Sequence, residues 1–187
     1  MFGPLLIQAL VNFCVVYGNS INDCPISCFC DTKSGIDSIP GGQGLKINCH
    51  PDLSETESFD IRLPSNTVQL DLAKYGISYI GMETFAGLVH LQKLDLQGNK
   101  IQNIENGAFR NLPKLEVLDL SRNSLKTIGK ETFAGLVSLH RLKLADNNIQ
   151  TLDEGSLDEL RSLKKVRYQI TCKDFRFERT KELFHDH

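Results

Sequence analysis

A 24-residue period runs through the chain and constrains its fold more than any other feature of the sequence. Each unit follows the pattern L-x-x-L-x-L-x-x-N-x-I/L-x-x-I/L-x4-F-x-x-L. The recurring positions are Leu70, Leu94, Leu118, Leu142 and Val166; Leu72, Leu96, Leu120, Leu144 and Tyr168; Asn99, Asn123 and Asn147; and Phe85, Phe109 and Phe133, with Leu157 in the fourth place. A fixed period of this length is typical of a repeat architecture in which neighbouring units stack.

The residue types within one unit indicate how it folds. The L-x-L alternation places two leucines on one face of a short strand and the middle residue on the other. The asparagine follows the strand, where its amide can hydrogen-bond the backbone of the turn. One unit cannot bury its apolar face alone, whereas stacked units bury a continuous core. The sequence therefore predicts a solenoid of stacked units whose short strands line up as a parallel β-sheet.

The first twenty residues differ in composition from the rest. Residues 1–20 carry no charged side chain, contain a short apolar run, and end close to the small residues Gly18 and Ser20. This pattern is typical of a secretory signal peptide, although it lacks the usual Lys or Arg near the start. We therefore predict a secreted, extracellular protein, and we find no later apolar run long enough to insert into a membrane.

Four cysteines follow closely in the sequence: Cys24, Cys28, Cys30 and Cys49. An oxidising compartment would join such cysteines in disulfides, and four cysteines allow three pairings. Zinc binding is the alternative, but a zinc site normally needs two separated ligand pairs, which the spacing C-x3-C-x-C-x18-C does not provide. We therefore predict disulfides, with no bound metal and no cofactor.

These motifs make the chain resemble the extracellular leucine-rich-repeat family with 24-residue typical repeats, similar to Toll-type, Slit-like and variable-lymphocyte-receptor-like ectodomains. The resemblance runs from Cys24 to Tyr168. It implies a solenoid of the α/β class: a short horseshoe arc with a parallel concave β-sheet and a mostly irregular convex side. The cysteine cluster resembles the family's N-terminal cap, and Leu63-Pro64 followed by Thr67 resembles its entry into the first repeat. A cap is physically required because the first coil would otherwise expose its core.

The resemblance also implies a disulfide pattern and a set of boundaries. In similar caps the first cysteine pairs with the third and the second with the fourth, which implies Cys24–Cys30 and Cys28–Cys49. We predict a signal peptide over residues 1–20, the cap over 21–66, four repeats over 67–162, and a partial fifth repeat with an atypical tail over 163–187.

Both ends of the repeat array depart from the family pattern. Tyr75 stands where the first repeat should have Asn, which predicts a weakened first rung because terminal repeats are often atypical. The family's multi-cysteine C-terminal cap is missing, and Cys172 is the remaining cysteine after the repeats. Three interpretations stay open: the tail folds back over the last coil, the chain is a truncated receptor, or the open end and Cys172 meet a partner chain, for example in a disulfide-linked homodimer. Cys172 itself is expected either to pair between molecules or to be a free thiol.

The middle residue of each L-x-L should face the concave side, where we place the candidate ligand-binding face. The outward residues singled out are Asp71, Asp95, Asp119, Arg141, Lys143, Lys165 and Arg167. The face is thus expected to be acidic toward its N-terminal end and basic toward its C-terminal end. We interpret the four basic residues as a patch for an acidic ligand. Two plainer explanations are solvated aspartates and a cross-strand ion pair between Asp119 and Lys143.

The sequence favours binding over catalysis. It contains no recognised pairing of a nucleophile with a base, no H-E-x-x-H or G-x-S-x-G motif and no phosphate-binding loop, so we assign no catalytic residue and predict no enzyme. The net charge of -2 provides no general attraction for nucleic acid, which we do not expect as a partner. We predict a binding module for a protein or glycan, as in innate immunity. A matrix or cell-adhesion protein and the truncated ectodomain of a larger receptor are the alternatives.

Overall fold

The structure is a computed structural model that describes residues 28–34, 43–49 and 63–167. The predicted signal peptide, Cys24, the side chain of Cys30 and the tail that carries Cys172 lie outside the described residues. The Cys24–Cys30 bond and the three interpretations of Cys172 therefore stay predictions.

The described residues form eleven β-strands, and seven of them build one continuous sheet. The strands are β1 (Cys28–Ser34), β2 (Gln43–Cys49), β3 (Thr67–Asp71), β4 (Tyr79–Ile80), β5 (Lys93–Asp95), β6 (Asn103–Ile104), β7 (Val117–Asp119), β8 (Thr127–Ile128), β9 (Arg141–Lys143), β10 (Thr151–Leu152) and β11 (Lys165–Arg167). The large sheet has the order β1-β2-β3-β5-β7-β9-β11. The first pair is antiparallel, and every later pair is parallel.

The register of the sheet follows the 24-residue period. Leu70 lies opposite Leu94, which lies opposite Leu118, which in turn lies opposite Leu142. Equivalent positions of successive repeats therefore stand side by side. This arrangement confirms the predicted stack of repeats around a parallel concave sheet.

Turns and very short strands make up the convex side. Two-residue strands pair as β4 with β6 and as β8 with β10, and the ladder is interrupted between these two pairs. At the interruption the Gly107 N–H donates to the Glu131 carbonyl at 3.1 Å. The described residues contain no α-helix, and glycines with positive φ such as Gly87 and Gly135 interrupt the return segments. The convex side is thus mostly irregular, as predicted, and no membrane-spanning helix occurs among the described residues.

The core is a column of leucines behind the sheet and a column of phenylalanines toward the convex side. Phe85, Phe109 and Phe133 are fully buried. Their rings stack in series, with centroid distances of 6.0 Å and 6.3 Å. Burial of one such side chain stabilises the fold by roughly 1.5–3 kcal/mol. The repeated Phe therefore ties each coil to the next.

The cap closes the N-terminal end of this core. A disulfide joins Cys28 to Cys49, which are directly opposed on β1 and β2. This is one of the two bonds that the family resemblance implies. Leu45 and Ile47 are buried and extend the apolar cluster of the repeats into the cap. The cap thus covers the side of the first coil that would otherwise be exposed.

The asparagine of each repeat bonds backbone groups of two coils. Asn99 donates its Nδ2 to the carbonyls of Leu72 and Leu96, at 2.9 Å and 2.8 Å. Its Oδ1 accepts from the N–H groups of Gly76 and Ile77, at 2.8 Å and 3.0 Å. The amide therefore satisfies buried backbone groups that have no partner in the strand ladder.

The same arrangement recurs at Asn123 and Asn147, each of which is buried. Each donates to one carbonyl of the preceding coil and to carbonyls of its own coil. Tyr75, at the equivalent place in the first repeat, packs partly buried against the core instead. The first coil is still tied to the second, because Asn99 reaches back to Leu72. The predicted weakness of the first rung remains to be tested.

Candidate ligand-binding face

The outward positions of the parallel strands form two columns that run across the concave face. Strand register defines the first column as Lys46, Gln69, Lys93, Val117, Arg141 and Lys165. The second column is Asn48, Asp71, Asp95, Asp119, Lys143 and Arg167. All seven residues that the sequence places on this face therefore lie in one of the two columns.

The three aspartates of the second column also shape the turn at the end of each strand. In each case Oδ1 accepts a hydrogen bond from the backbone N–H two residues later. These bonds join Asp71 to Ala73 at 2.9 Å, Asp95 to Gln97 at 2.9 Å and Asp119 to Ser121 at 3.0 Å. A short side chain that accepts this bond favours the turn. The aspartates thus have a local structural role, whether or not a ligand contacts them.

Asp119 and Lys143 form an ion pair across two neighbouring strands. The Lys143 Nζ lies 2.6 Å from the Asp119 Oδ2, and the side chains are 38% and 7% exposed, respectively. Burial would raise the pKa of Asp119, but the hydrogen bonds from Lys143 and Ser121 outweigh it and hold that pKa below its usual value. This ion pair is the plainer of the two explanations that the sequence had offered for a lysine at position 143. It also neutralises part of the positive charge that we assigned to the basic patch.

Asp95 has the opposite electrostatic environment. Burial raises its pKa, the hydrogen bond from the Gln97 N–H acts against this, and the carboxylates of Asp119 and Asp71 raise it further. The two neighbours stand on adjacent strands, about 4.8 Å away in the ladder direction. The stacked aspartates therefore repel one another, and only Asp119 has a lysine as its counter-ion among the described residues.

The register brings the predicted basic patch together. Arg141 is adjacent to Lys165, and Lys143 is adjacent to Arg167, in the pairing of β9 with β11. Arg141 is exposed and forms no ion pair within the described part of the chain. The side chains of Lys165 and Arg167 lie outside the described residues. The patch as a binding site stays a prediction.

Lys46 is a residue of this face that sequence reasoning missed. It belongs to the cap, which has no repeat period, and a register shift between Leu45 and Lys46 places it opposite Gln69. Lys46 is exposed, like Lys93 two strands further along. The N-terminal half of the face thus carries two cations beside Asp71 and Asp95. Its acidic character is weaker than the second column alone predicts.

Known proteins identify the scaffold. A family model described as "Leucine rich repeat" matches residues 65–125 and 113–167, which together cover more than half of the chain. The chain belongs to the leucine-rich repeat family. Members of this family are typically ligand-binding scaffolds, and no group of His, Cys, Asp or Glu in the described residues could hold a metal ion.

Among relatives of this leucine-rich repeat protein is the human "Leucine-rich repeat-containing protein 3B". It is 30% identical over 122 residues, which cover 58% of this chain and 47% of the relative. The chain therefore spans less than half the length of the curated relatives that it matches.

Two solved structures show the same architecture. The "TLR13-ssRNA13 complex" is similar with a TM-score of 0.58 and 32% identity, over 67% of this chain and 18% of that chain. The Toll–Spatzle complex of Drosophila is similar with a TM-score of 0.53 and 20% identity, over 57% and 16%, and shows the fold alone. The first structure weakens our expectation that nucleic acid is not a partner, because a protein of this fold is there in complex with single-stranded RNA. That expectation now depends on charge alone.

Proposed function

We propose that this chain is a secreted recognition module that binds a macromolecular ligand on its concave face and catalyses no reaction. The observation that carries the proposal is the outward face of the parallel sheet. It presents Lys93 and Arg141, both exposed and without an ion pair among the described residues, beside the aspartates of the second column. Exposed charges without an ion pair among the described residues are available to contact a ligand.

Secretion is supported by two independent features of the chain. Residues 1–20 have the composition of a signal peptide. The disulfide between Cys28 and Cys49 is typical of proteins that fold in an oxidising compartment. Expression of the full chain in a secretory cell line, followed by N-terminal sequencing of the medium, tests this. We expect a species that starts close to residue 21, and a protein that stays in the cytosol with Met1 intact would contradict secretion.

The similarity to Toll-type ectodomains favours a role in innate recognition. The ligands in the two solved complexes, single-stranded RNA and Spatzle, belong to those proteins. A matrix or cell-adhesion role is the second candidate. The third candidate is the ectodomain of a larger receptor, favoured by the fact that the chain covers under half of its curated relatives.

A capture experiment separates these candidates. The secreted protein would be offered to microbial cells, host cell-surface extracts and matrix components, together with two double variants. One is Lys93→Ser with Arg141→Ser on the concave face. The other is the control, Lys126→Ser with Lys130→Ser, two exposed lysines of the loops outside the large sheet.

Retention on microbes alone would favour innate recognition, whereas retention on host surface or matrix alone would favour adhesion or receptor signalling. In either case we expect the concave variant to lose retention and the control to keep it. Equal retention of both variants, or no selective retention of the unaltered protein on any component, would contradict a concave binding site.

A further inference from the structure

We infer that the first column recognises an extended acidic peptide segment whose carboxylates recur at every third residue. The inference rests on the proposed function and names the ligand class of the same face. It is carried by the position, exposure and spacing of Lys46, Lys93 and Arg141.

The three cations stand on every second strand. Lys46 lies on β2, Lys93 on β5 and Arg141 on β9, with the neutral Gln69 and Val117 on the strands between them. All three cations are exposed, and none forms an ion pair with another described residue. From Lys46 to Arg141 the first column is therefore a row of separated positive charges without an ion pair among the described residues, and Lys165 continues the column directly beside Arg141.

The spacing of this row matches an extended polypeptide. Neighbouring strands lie about 4.8 Å apart, so successive cations of the row lie about 10 Å apart. A polyproline II chain advances about 3.1 Å per residue with three residues per turn, so every third side chain lies on the same side and about 9 Å further along. A peptide that crosses the strands along the solenoid can thus place one carboxylate over each cation, with two residues between successive carboxylates.

The second column disfavours a ligand with continuous negative charge. Asp95 is two residues from Lys93 on β5, and Asp71 lies beside Asp95 on the adjacent strand β3. These carboxylates would repel a nucleic acid or a densely sulfated glycan, which carries charge along its whole length. A peptide with neutral residues between its acids keeps its charge on the first column.

Val117 adds an apolar contact to the row. It is half-buried and lies between Lys93 and Arg141 in the register. The segment that fits this surface therefore has an apolar residue between its second and third acids. Such a pattern could occur in an extended loop or tail of a protein ligand.

Fluorescence anisotropy with two labelled synthetic peptides tests the inference on the full secreted chain. Both peptides contain three glutamates and the same serines and valine. One has a glutamate at every third position, and the other has the three glutamates in a row. Exposed ion pairs contribute little individually, so we expect the spaced peptide to bind only about tenfold more tightly at low salt.

Single substitutions assign the effect to the row. We expect Lys46→Gln, Lys93→Gln and Arg141→Gln each to weaken the binding of the spaced peptide by roughly threefold. The affinity for the block peptide should stay almost unchanged. Lys126→Gln and Lys130→Gln are matched controls outside the large sheet and should change neither peptide. Circular dichroism of each variant would establish that the fold is retained.

Three outcomes would overturn the inference: equal binding of the two peptides, no binding of either, or no effect of Lys46→Gln. Tighter binding of an oligoribonucleotide or of heparin than of the spaced peptide would also overturn it, in favour of a continuous polyanion. The capture experiment keeps the two proposals separable. If the concave variant abolishes capture while the peptides bind equally, the proposed function stands and this ligand class is wrong.

Discussion

At the scale of single residues, two adjacent asparagines have opposite environments. Asn147 is buried, donates to the carbonyls of Leu120 and Leu144, and accepts from the Leu125 N–H. Asn148, the next residue, is exposed. The same type of side chain thus links two coils by hydrogen bonds at one position and is exposed to solvent at the next.

The substitution Asn147→Asp should be strongly destabilising. It removes two donors from buried carbonyls and places a charge in the interior, which should lower the free energy of unfolding by about 3 kcal/mol or more. Asn148→Asp makes the same chemical change at the surface and should cost under about 0.5 kcal/mol. Urea denaturation of both variants measures the difference. Similar losses at the two sites would show that the amide does not link the coils.

Two glycines with the same backbone conformation provide a second comparison. Gly87 and Gly135 have φ values of +81° and +87°. A Cβ at Gly87 would meet nothing within 4 Å, whereas one at Gly135 would lie 2.7 Å from the Arg110 carbonyl oxygen and 2.8 Å from its Cα. The backbone of the neighbouring coil therefore leaves no space for a side chain at Gly135.

Both Gly→Ala variants should carry the cost of a left-handed alanine, roughly 1–2 kcal/mol. We expect Gly135→Ala to cost about 1–3 kcal/mol more, because the coil that contains Arg110 must shift. Thermal or urea unfolding of the pair isolates this second contribution. If Gly87→Ala proved equally destabilising, the contact with Arg110 would not be the cause.

At the scale of strands, the second column combines repulsion and attraction along one ladder. Asp71, Asp95 and Asp119 stand on adjacent strands, and Lys143 ends the acidic run. Burial and the neighbouring carboxylates raise the pKa of Asp95, whereas the hydrogen bonds from Lys143 and Ser121 hold the pKa of Asp119 below its usual value despite burial. This contrast predicts two different dependences of stability on pH.

Asp95→Asn should stabilise the protein at neutral pH by under about 1 kcal/mol. The asparagine Oδ1 can still accept from the Gln97 N–H, while the cost of burying the charge and the repulsion from Asp71 and Asp119 are lost. Because the pKa of Asp95 is raised on folding, the penalty of its charge develops as pH rises from the ordinary value of 3.8 through the folded pKa. The gain should thus vanish in acid. Urea unfolding of both proteins across this pH range tests the prediction. A gain that persisted below the range would show that the charge of Asp95 is not its source.

Asp119→Asn should show the reverse dependence. Since the pKa of Asp119 is lowered on folding, its charge stabilises the fold above the ordinary value of 3.8, and this contribution is lost as pH falls through the folded pKa. We expect the variant to be about 1 kcal/mol less stable at neutral pH and equal to the unaltered protein in strong acid. A pH-independent loss would show that the ion pair with Lys143 is not responsible.

At the scale of the whole molecule, stability should be close to a sum over coils and their interfaces. Deletion of residues 100–123 removes one complete repeat and leaves Asn99 followed by Ser124, with every later position in phase. We expect a folded protein of lower stability, with a smaller denaturant dependence because less surface is exposed on unfolding.

The matched control is deletion of residues 100–111, which is half a repeat. It places later residues out of phase with the core, so cooperative unfolding should be lost. Circular dichroism and urea titration compare the two deletions. Cooperative unfolding of the half-repeat deletion would contradict the view that repeat phase determines the stack.

The sequence by itself determined the repeat phase, and with it most of the architecture. The 24-residue period predicts that equivalent leucines pair across parallel strands and that Asp71, Asp95 and Lys143 face outward. It also predicts that the asparagine side chain hydrogen-bonds the backbone of the turn. These features are local and repeated, so one unit contains the information needed to place the next.

Only the tertiary structure decided how residues outside this period meet. Lys46 joins the first column through a register shift in the non-repeating cap, and of the alternatives that the sequence had offered for Lys143 the structure shows the ion pair with Asp119. The tight contact at Gly135 depends on the backbone of Arg110 in another coil. The register of the cap and the contact at Gly135 are set by packing between segments far apart in the chain, and the repeat pattern contains no information about them.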